Sequence, residues 1–332
     1  MQVAPQWNSL KTKTDFLQAT GDLQRDLHQQ AEETRNQFFG RKVFVRAVVE
    51  VSNFCRENCQ YCGMRRSNRS LSRYRLELDT LRRTIFEECP DIVTDINLQT
   101  GEDPVAVREI VIPLVREIKA SGRFGISVCL GTLSESLYRE LYEAGAHFYI
   151  MKLESGNPEH YKQMEAPGTF HERIENIRHL ASTGWNVSSG IIIDLPGQND
   201  TLIAEALQLM ESLPLAGCSV SPFIPGDQTP LASHTAGSLE KTLNALALMR
   251  LASPDRIIPA VSAMTLVGDA GYSRAITAGA NLTTINLTPT DARENYVIYK
   301  SKRNIMTHER ILREVEHANC EISSVGMGSY LA

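Results

Sequence analysis

At 332 residues, 42% of them hydrophobic, the chain is long enough to build one large domain around a sizeable core. Its formal net charge of −5, with both signs interspersed, excludes the broad basic field that holds nucleic acid. No apolar run is long enough to span a bilayer, the N-terminus lacks a charged segment followed by an apolar one, and the seven cysteines are not spaced as a disulfide framework. These features read as a soluble cytoplasmic protein with reduced thiols, no membrane or nucleic-acid partner, and small molecules or other proteins as ligands.

Residues 1–40 are mostly polar, with Leu and Phe at helical spacings, and predict an N-terminal helical extension. From 41 to 332 short β-branched or apolar runs alternate with longer amphipathic stretches, the pattern of repeated βα units. Strands are expected at 43–51, 92–98, 124–130, 148–153, 187–195, 218–223, 257–261 and 282–287. Helices are expected at 79–89, 105–120, 134–144, 170–183, 201–213 and 238–251, with shorter ones at 159–164 and 272–278. Gly184, Pro196-Gly197 and Gly279 supply helix ends and turns. The expected class is α/β, a closed (βα)8 TIM-type barrel with its active site at the C-terminal strand ends, a six-stranded open barrel being the alternative count.

Past the first strand stands Cys55-Arg56-Glu57-Asn58-Cys59-Gln60-Tyr61-Cys62, a C-x3-C-x2-C run. Thiolates are soft ligands that suit iron–sulfur clusters or zinc, and a trio holds three corners of a [4Fe–4S] cubane, leaving the fourth iron open. A closed zinc site wants four protein ligands, and no further Cys or His lies nearby in sequence. After the second strand comes Gln99-Thr100-Gly101-Glu102-Asp103-Pro104, where a glycine permits close backbone approach and carbonyls or a carboxylate suit an ammonium. The residues alone are equally consistent with an ordinary strand-to-helix turn. Glu154 ends the fourth strand and can accept hydrogen bonds; Arg173 opens a helix and carries a planar donor fork. Each alone is commonly a salt-bridge partner. The stretch Ser189-Gly190-Ile191-Ile192-Ile193-Asp194-Leu195-Pro196-Gly197-Gln198 reads as a buried barrel strand ending in a turn.

The cysteine trio with Tyr61 before its last member resembles the signature of the radical S-adenosylmethionine (SAM) superfamily. Arg65-Arg66-Ser67-Asn68-Arg69, Gln99-Thr100-Gly101-Glu102-Asp103-Pro104, Pro222-Phe223-Ile224-Pro225 and Gly279-Ala280-Asn281 extend the resemblance, from about 31 to 287, to the HydE/PylB-type branch. It implies a [4Fe–4S] cluster on Cys55, Cys59 and Cys62 and a SAM site built from Tyr61, Gly101, Glu102, Glu154, Arg173, Ile192 and Leu195. It also implies reductive SAM cleavage fed by an electron donor such as flavodoxin or ferredoxin. HydE members carry an arginine and a histidine where this chain has Lys152 and Leu153, a threonine pair at Val261-Ser262 and a methionine at Thr284, while Tyr296 and Tyr299 match. The substrate wall is therefore expected at Lys152, Ser262, Met264, Thr284, Tyr296 and Tyr299, edited for an anionic or amino-acid-like ligand. Ser127, Ser188 and Ala260 stand where biotin-synthase members bind a second cluster, which argues against sulfur insertion. HydE-like cofactor maturation is the expected activity. A PylB-like amino-acid mutase, or a non-catalytic electron carrier or sensor, is the alternative.

Overall fold

Strand β1, Lys42–Ser52, is buried at every residue after its first, as a parallel strand covered on both faces must be. The computed structural model describes Trp7, residues 9–299 and residues 304–331; residues 1–6 of the expected N-terminal extension lie outside that set. On one side β1 pairs in parallel with β2, Asp95–Thr100, followed by β3, Gly125–Cys129, β4, Phe148–Ile150, β5, Asn186–Ile193, and β6, Gly217–Pro222. On its other side it pairs with β7, Leu282–Asn286, so the order is β6-β5-β4-β3-β2-β1-β7.

The two edges meet through residues 257–260. Gly217 bridges Ile257 and Pro259 bridges Leu282, both in parallel, while Cys218 N–H donates to the Ile257 carbonyl at 3.0 Å and Ala260 N–H to that of Leu282 at 2.9 Å. The expected strand at 257–261 is thus reduced to two bridges that occupy its place in the ring. Pro259 brings no N–H to a ladder, and the chain turns at once into the 3-10 helix Ser262–Leu266. The expected strand at 148–153 ends early as β4, because Glu154 takes a positive φ of 66° and its N–H, with that of Leu153, converges on the Gly190 carbonyl. A short strand that the periodicity does not signal, β8, Glu321–Ile322, pairs with the start of β1 outside the barrel. The helix expected at 105–120 spans Pro104–Ala106 and Ile112–Ser121 with a π turn, Val107–Val111, between them.

The architecture is a (βα)8 TIM-type barrel. Helices Leu10–Leu17 and Gly21–Phe39 pack on its outside, against Asp200–Ser212 and Leu239–Ala252, and bury Leu17, Leu27 and Ala31 in the shared core. The floor is closed by Phe39, Phe44, Ile257, Leu282 and Met327, an apolar cluster of its own. No helix among the described residues is long and apolar enough to cross a membrane. All seven cysteines are unpaired.

Candidate active site

The cysteine loop leaves the C-terminal end of β1 and is held by two side chains. Asn53 donates to the carbonyls of Ser72 at 2.8 Å and Asn295 at 2.7 Å and accepts from Tyr74 N–H at 2.8 Å. Arg73 donates to the carbonyls of Asn53 at 2.5 Å, Met64 at 2.9 Å and Arg65 at 2.8 Å. A loop with that many polar backbone groups stays ordered only if they are partnered, and these two residues partner them. Gly101 lets β2's end close against it: a Cβ there would lie 2.2 Å from the Phe54 carbonyl oxygen and 2.7 Å from Cys55 Cβ. The next amide, Glu102 N–H, donates to Cys55 Sγ at 3.4 Å.

Cys55, Cys59 and Cys62 all face the barrel's cavity. Burial raises all three thiols, Cys59 well above its ordinary value and Cys62 to about 12. Such a pocket keeps free thiols protonated and stabilises thiolates once a cation replaces the protons, which fits an iron cluster. Among the described residues no three His, Cys, Asp or Glu side chains converge on one metal ion.

Next to the thiols, Arg173 is 4% exposed. It sits in the first turns of helix Phe170–Ser182, which opens with a Thr169/Glu172 capping box. Its Nη1 donates to Thr132 Oγ1 at 2.7 Å, Met151 Sδ at 3.0 Å and Glu102 Oε1 at 3.3 Å, whereas its buried Nε has no partner among the described residues. Glu102, expected as an arm toward an ammonium, is already engaged: its carboxylate accepts from Thr132 N–H at 3.0 Å and Arg56 Nε at 3.2 Å as well as from Arg173. Glu154 presents its carboxyl to the cavity, raised by burial against the pull of Lys152 and Arg173. Its left-handed backbone is clamped, the N–H donating to Gly190 O at 2.8 Å and the carbonyl accepting from Ile192 N–H at 3.0 Å. Tyr61 and Ile192 line the same space.

Below these groups the cavity, about 390 Å³, runs down the barrel. Lys152, Ser262, Thr284, Tyr296 and Tyr299 line it, Lys152 Nζ donating to Ser219 Oγ and Ser262 Oγ lying 3.3 Å from Tyr299 Oη. Two expected residues do not reach it. Leu195 is 1% exposed and Met264 fully buried, both packed into the apolar core; in the tight 3-10 turn Ser262 and Ala263 face the cavity, whereas Met264 is directed away.

Two residues missing from the sequence reading are prominent. Arg46 and Glu50 lie on the inward face of β1, four residues apart on one side of the pleat. Among the described residues Arg46, 9% exposed, donates a long bond to Thr284 Oγ1 at 3.3 Å and its Nε has no partner, while burial disfavours its charge. Glu50 accepts from Asn286 Nδ2 at 3.2 Å. The signal was present: two charged residues an even number of positions apart inside an otherwise apolar strand lie on one face and point to a polar interior.

The family model described as the Radical SAM superfamily matches residues 49–210. The [FeFe] hydrogenase maturase subunit HydE of Thermotoga maritima is 34% identical over 274 residues, 82% of this chain and 78% of that protein. The 3-methylornithine synthase of Methanosarcina acetivorans is 26% identical over 279 residues, 83% of this chain and 78% of that protein. Among solved structures, methylornithine synthase (PylB) superposes with a TM-score of 0.83 at 23% identity, covering 97% of this chain and 95% of that one, a likeness of fold.

Proposed function

Since the chain belongs to the radical SAM superfamily, we propose that Cys55, Cys59 and Cys62 hold its [4Fe–4S] cluster and that the cavity beneath receives SAM and then a small anionic or amino-acid-like substrate. Bound there, cluster and cofactor supply reductive cleavage of the sulfur–C5′ bond and so the 5′-deoxyadenosyl radical. The remaining work is the protein's. Gly101 lets the end of β2 close against the cysteine loop, and Arg173, with Nη1 fixed and Nε without a partner among the described residues, offers a preset donor to the carboxylate of SAM's methionine. Glu154 offers an acceptor to the ribose or the ammonium, Tyr61 and Ile192 flank the nucleoside, and Glu102 acts as the strut that orients Arg173. Leu195 supports this turn from behind, and Met264 carries no substrate contact.

The observation that carries this reading is the juxtaposition of three cavity-facing thiols with a buried guanidinium nitrogen that lacks a partner among the described residues, over one cavity. At the substrate end Arg46 and Lys152 supply two cations to a ligand's acidic group, with Ser262, Thr284, Tyr296 and Tyr299 as the surrounding wall. Maturation chemistry like that of the HydE relative is the primary reading. A mutase acting on an amino acid is the second, supported by Glu50 standing in the same cavity as Arg46 and Lys152, a charge pattern that suits a zwitterion. The electron comes from an external low-potential donor such as flavodoxin or ferredoxin, in a reducing compartment where seven free thiols survive.

Anaerobically reconstituted protein given dithionite and SAM should release 5′-deoxyadenosine or an adenosylated product, and Cys59→Ala should abolish both the release and the cluster's absorbance. Full cluster loading with no SAM cleavage would sink the proposal.

A further inference from the structure

His160 lies outside the cavity's wall and plays no part in the chemistry above. It sits on helix Pro158–Gln163, 3% exposed, between the two loops that leave β4 and β5. Its Nδ1 is 2.8 Å from Ser155 Oγ and its Nε2 is 2.9 Å from the Pro196 carbonyl oxygen. A carbonyl only accepts, so Nε2 carries the proton; in the neutral ring Nδ1 is then the acceptor and Ser155 Oγ–H its donor. Ser155 Oγ in turn accepts from Asn157 N–H at 3.5 Å.

What the imidazole joins is unusual backbone. Glu154, the neighbour of Ser155, has φ 66°, Asp194 has φ 62° and Gly197 has φ 90°. Left-handed conformations at non-glycine residues persist only where surrounding contacts hold them. Glu154 and Ile192, on the two elements His160 ties, both line the cavity at the space assigned to the nucleoside, and Ile192 N–H donates to the Glu154 carbonyl at 3.0 Å. An apolar side chain of similar size would fill the volume at 160, but it would leave the buried Ser155 hydroxyl and the half-buried Pro196 carbonyl without these partners.

We infer that His160 is a positioning residue for SAM: by tying Ser155 to Pro196, beyond the backbone bonds that join Glu154 to β5, it locks the Glu154 loop to the β5 turn and so holds the Glu154 and Ile192 side chains in place for the nucleoside. This rests on the reading of that space as the SAM site.

The test is SAM binding to the cluster-loaded enzyme, followed by the change SAM causes in the reduced cluster's EPR signal, together with substrate-free SAM cleavage. His160→Leu should weaken SAM binding and raise KM for SAM about tenfold, the scale of one lost buried hydrogen bond, with turnover at saturating SAM changed less than twofold. His160→Gln, whose amide N–H can still reach Pro196, should recover most of the affinity, and Ser155→Ala, which frees the ring to flip, should weaken binding about threefold. Iron content and melting temperature serve as controls; should the Leu variant fail to fold, the Gln and Ser155 variants decide. Wild-type affinity in the Leu variant, or equal loss in Leu and Gln, overturns the inference alone. A wild-type enzyme that ignores SAM overturns the site assignment and this inference together.

Discussion

Asp103 illustrates how much of this site depends on single side chains placed behind it. Its carboxylate accepts from Ser52 Oγ at 2.7 Å, from Arg75 Nε at 2.7 Å and Nη2 at 3.0 Å, and from Ala106 N–H at 3.3 Å as a helix cap. Burial pushes its pKa up, but the bonds from Arg75, Ser52 and Ala106 outweigh it and leave the group below its ordinary 3.8. A carboxylate lowered on folding contributes stability above its unfolded pKa and loses it as pH falls through the folded one. Asp103→Asn keeps the cap but gives up the two-pronged bond to Arg75. It should cost about 1–2 kcal/mol at neutral pH, read from denaturant midpoints, and the gap to wild type should narrow as pH drops below 3.8. At this scale the sequence singled out the thiols and Arg173, which the fold brings to one cavity, because their chemistry is rare and their spacing local. It assigned no role to Arg46 or His160, whose meaning comes from which way they point and what lies opposite.

Among the elements, helix Phe170–Ser182 shows how local sequence rules reach the site. Thr169 and Glu172 bond reciprocally, Glu172 N–H to Thr169 Oγ1 at 3.2 Å and Thr169 N–H to Glu172 Oε2 at 2.9 Å, and Arg173 is the next residue. Thr169→Ala should lower stability by about 1 kcal/mol. Because the first turn also aims the guanidinium, it should weaken SAM binding as well; isothermal titration beside a thermal melt would separate the two effects. The capping box was readable in the sequence, as was the alternation of strands and helices. The fate of 257–261 was not: β-branched and apolar residues predict a strand, and only the ring's closure reveals that Pro259 permits two bridges and no ladder. The early end of β4 has the same origin, since Glu154 bends away where β5 offers one carbonyl to two amides.

For the molecule as a whole, the cavity needs a floor as much as a mouth, and the floor is supplied by residues far apart in sequence. Met327, 1% exposed, packs with Phe39, Phe44, Ile257 and Leu282, and its N–H donates to Asp95 Oδ2 at 3.1 Å. Met327→Ala should cost about 2 kcal/mol or more through the void it leaves, seen as a lower melting temperature with cluster binding retained. The sequence by itself determined the reaction class and the architecture, because three closely spaced thiolates with no fourth ligand, and eight βα units, are local patterns that need no partner to be legible. Only the closed barrel decided which side chains meet. Curling the sheet turned Arg46 and Glu50 inward together, carried Leu195 and Met264 into the apolar layer, and brought His160 onto a carbonyl 36 residues away. Inside and outside are properties of the ring, and neither exists until the last pair of strands has found its neighbour.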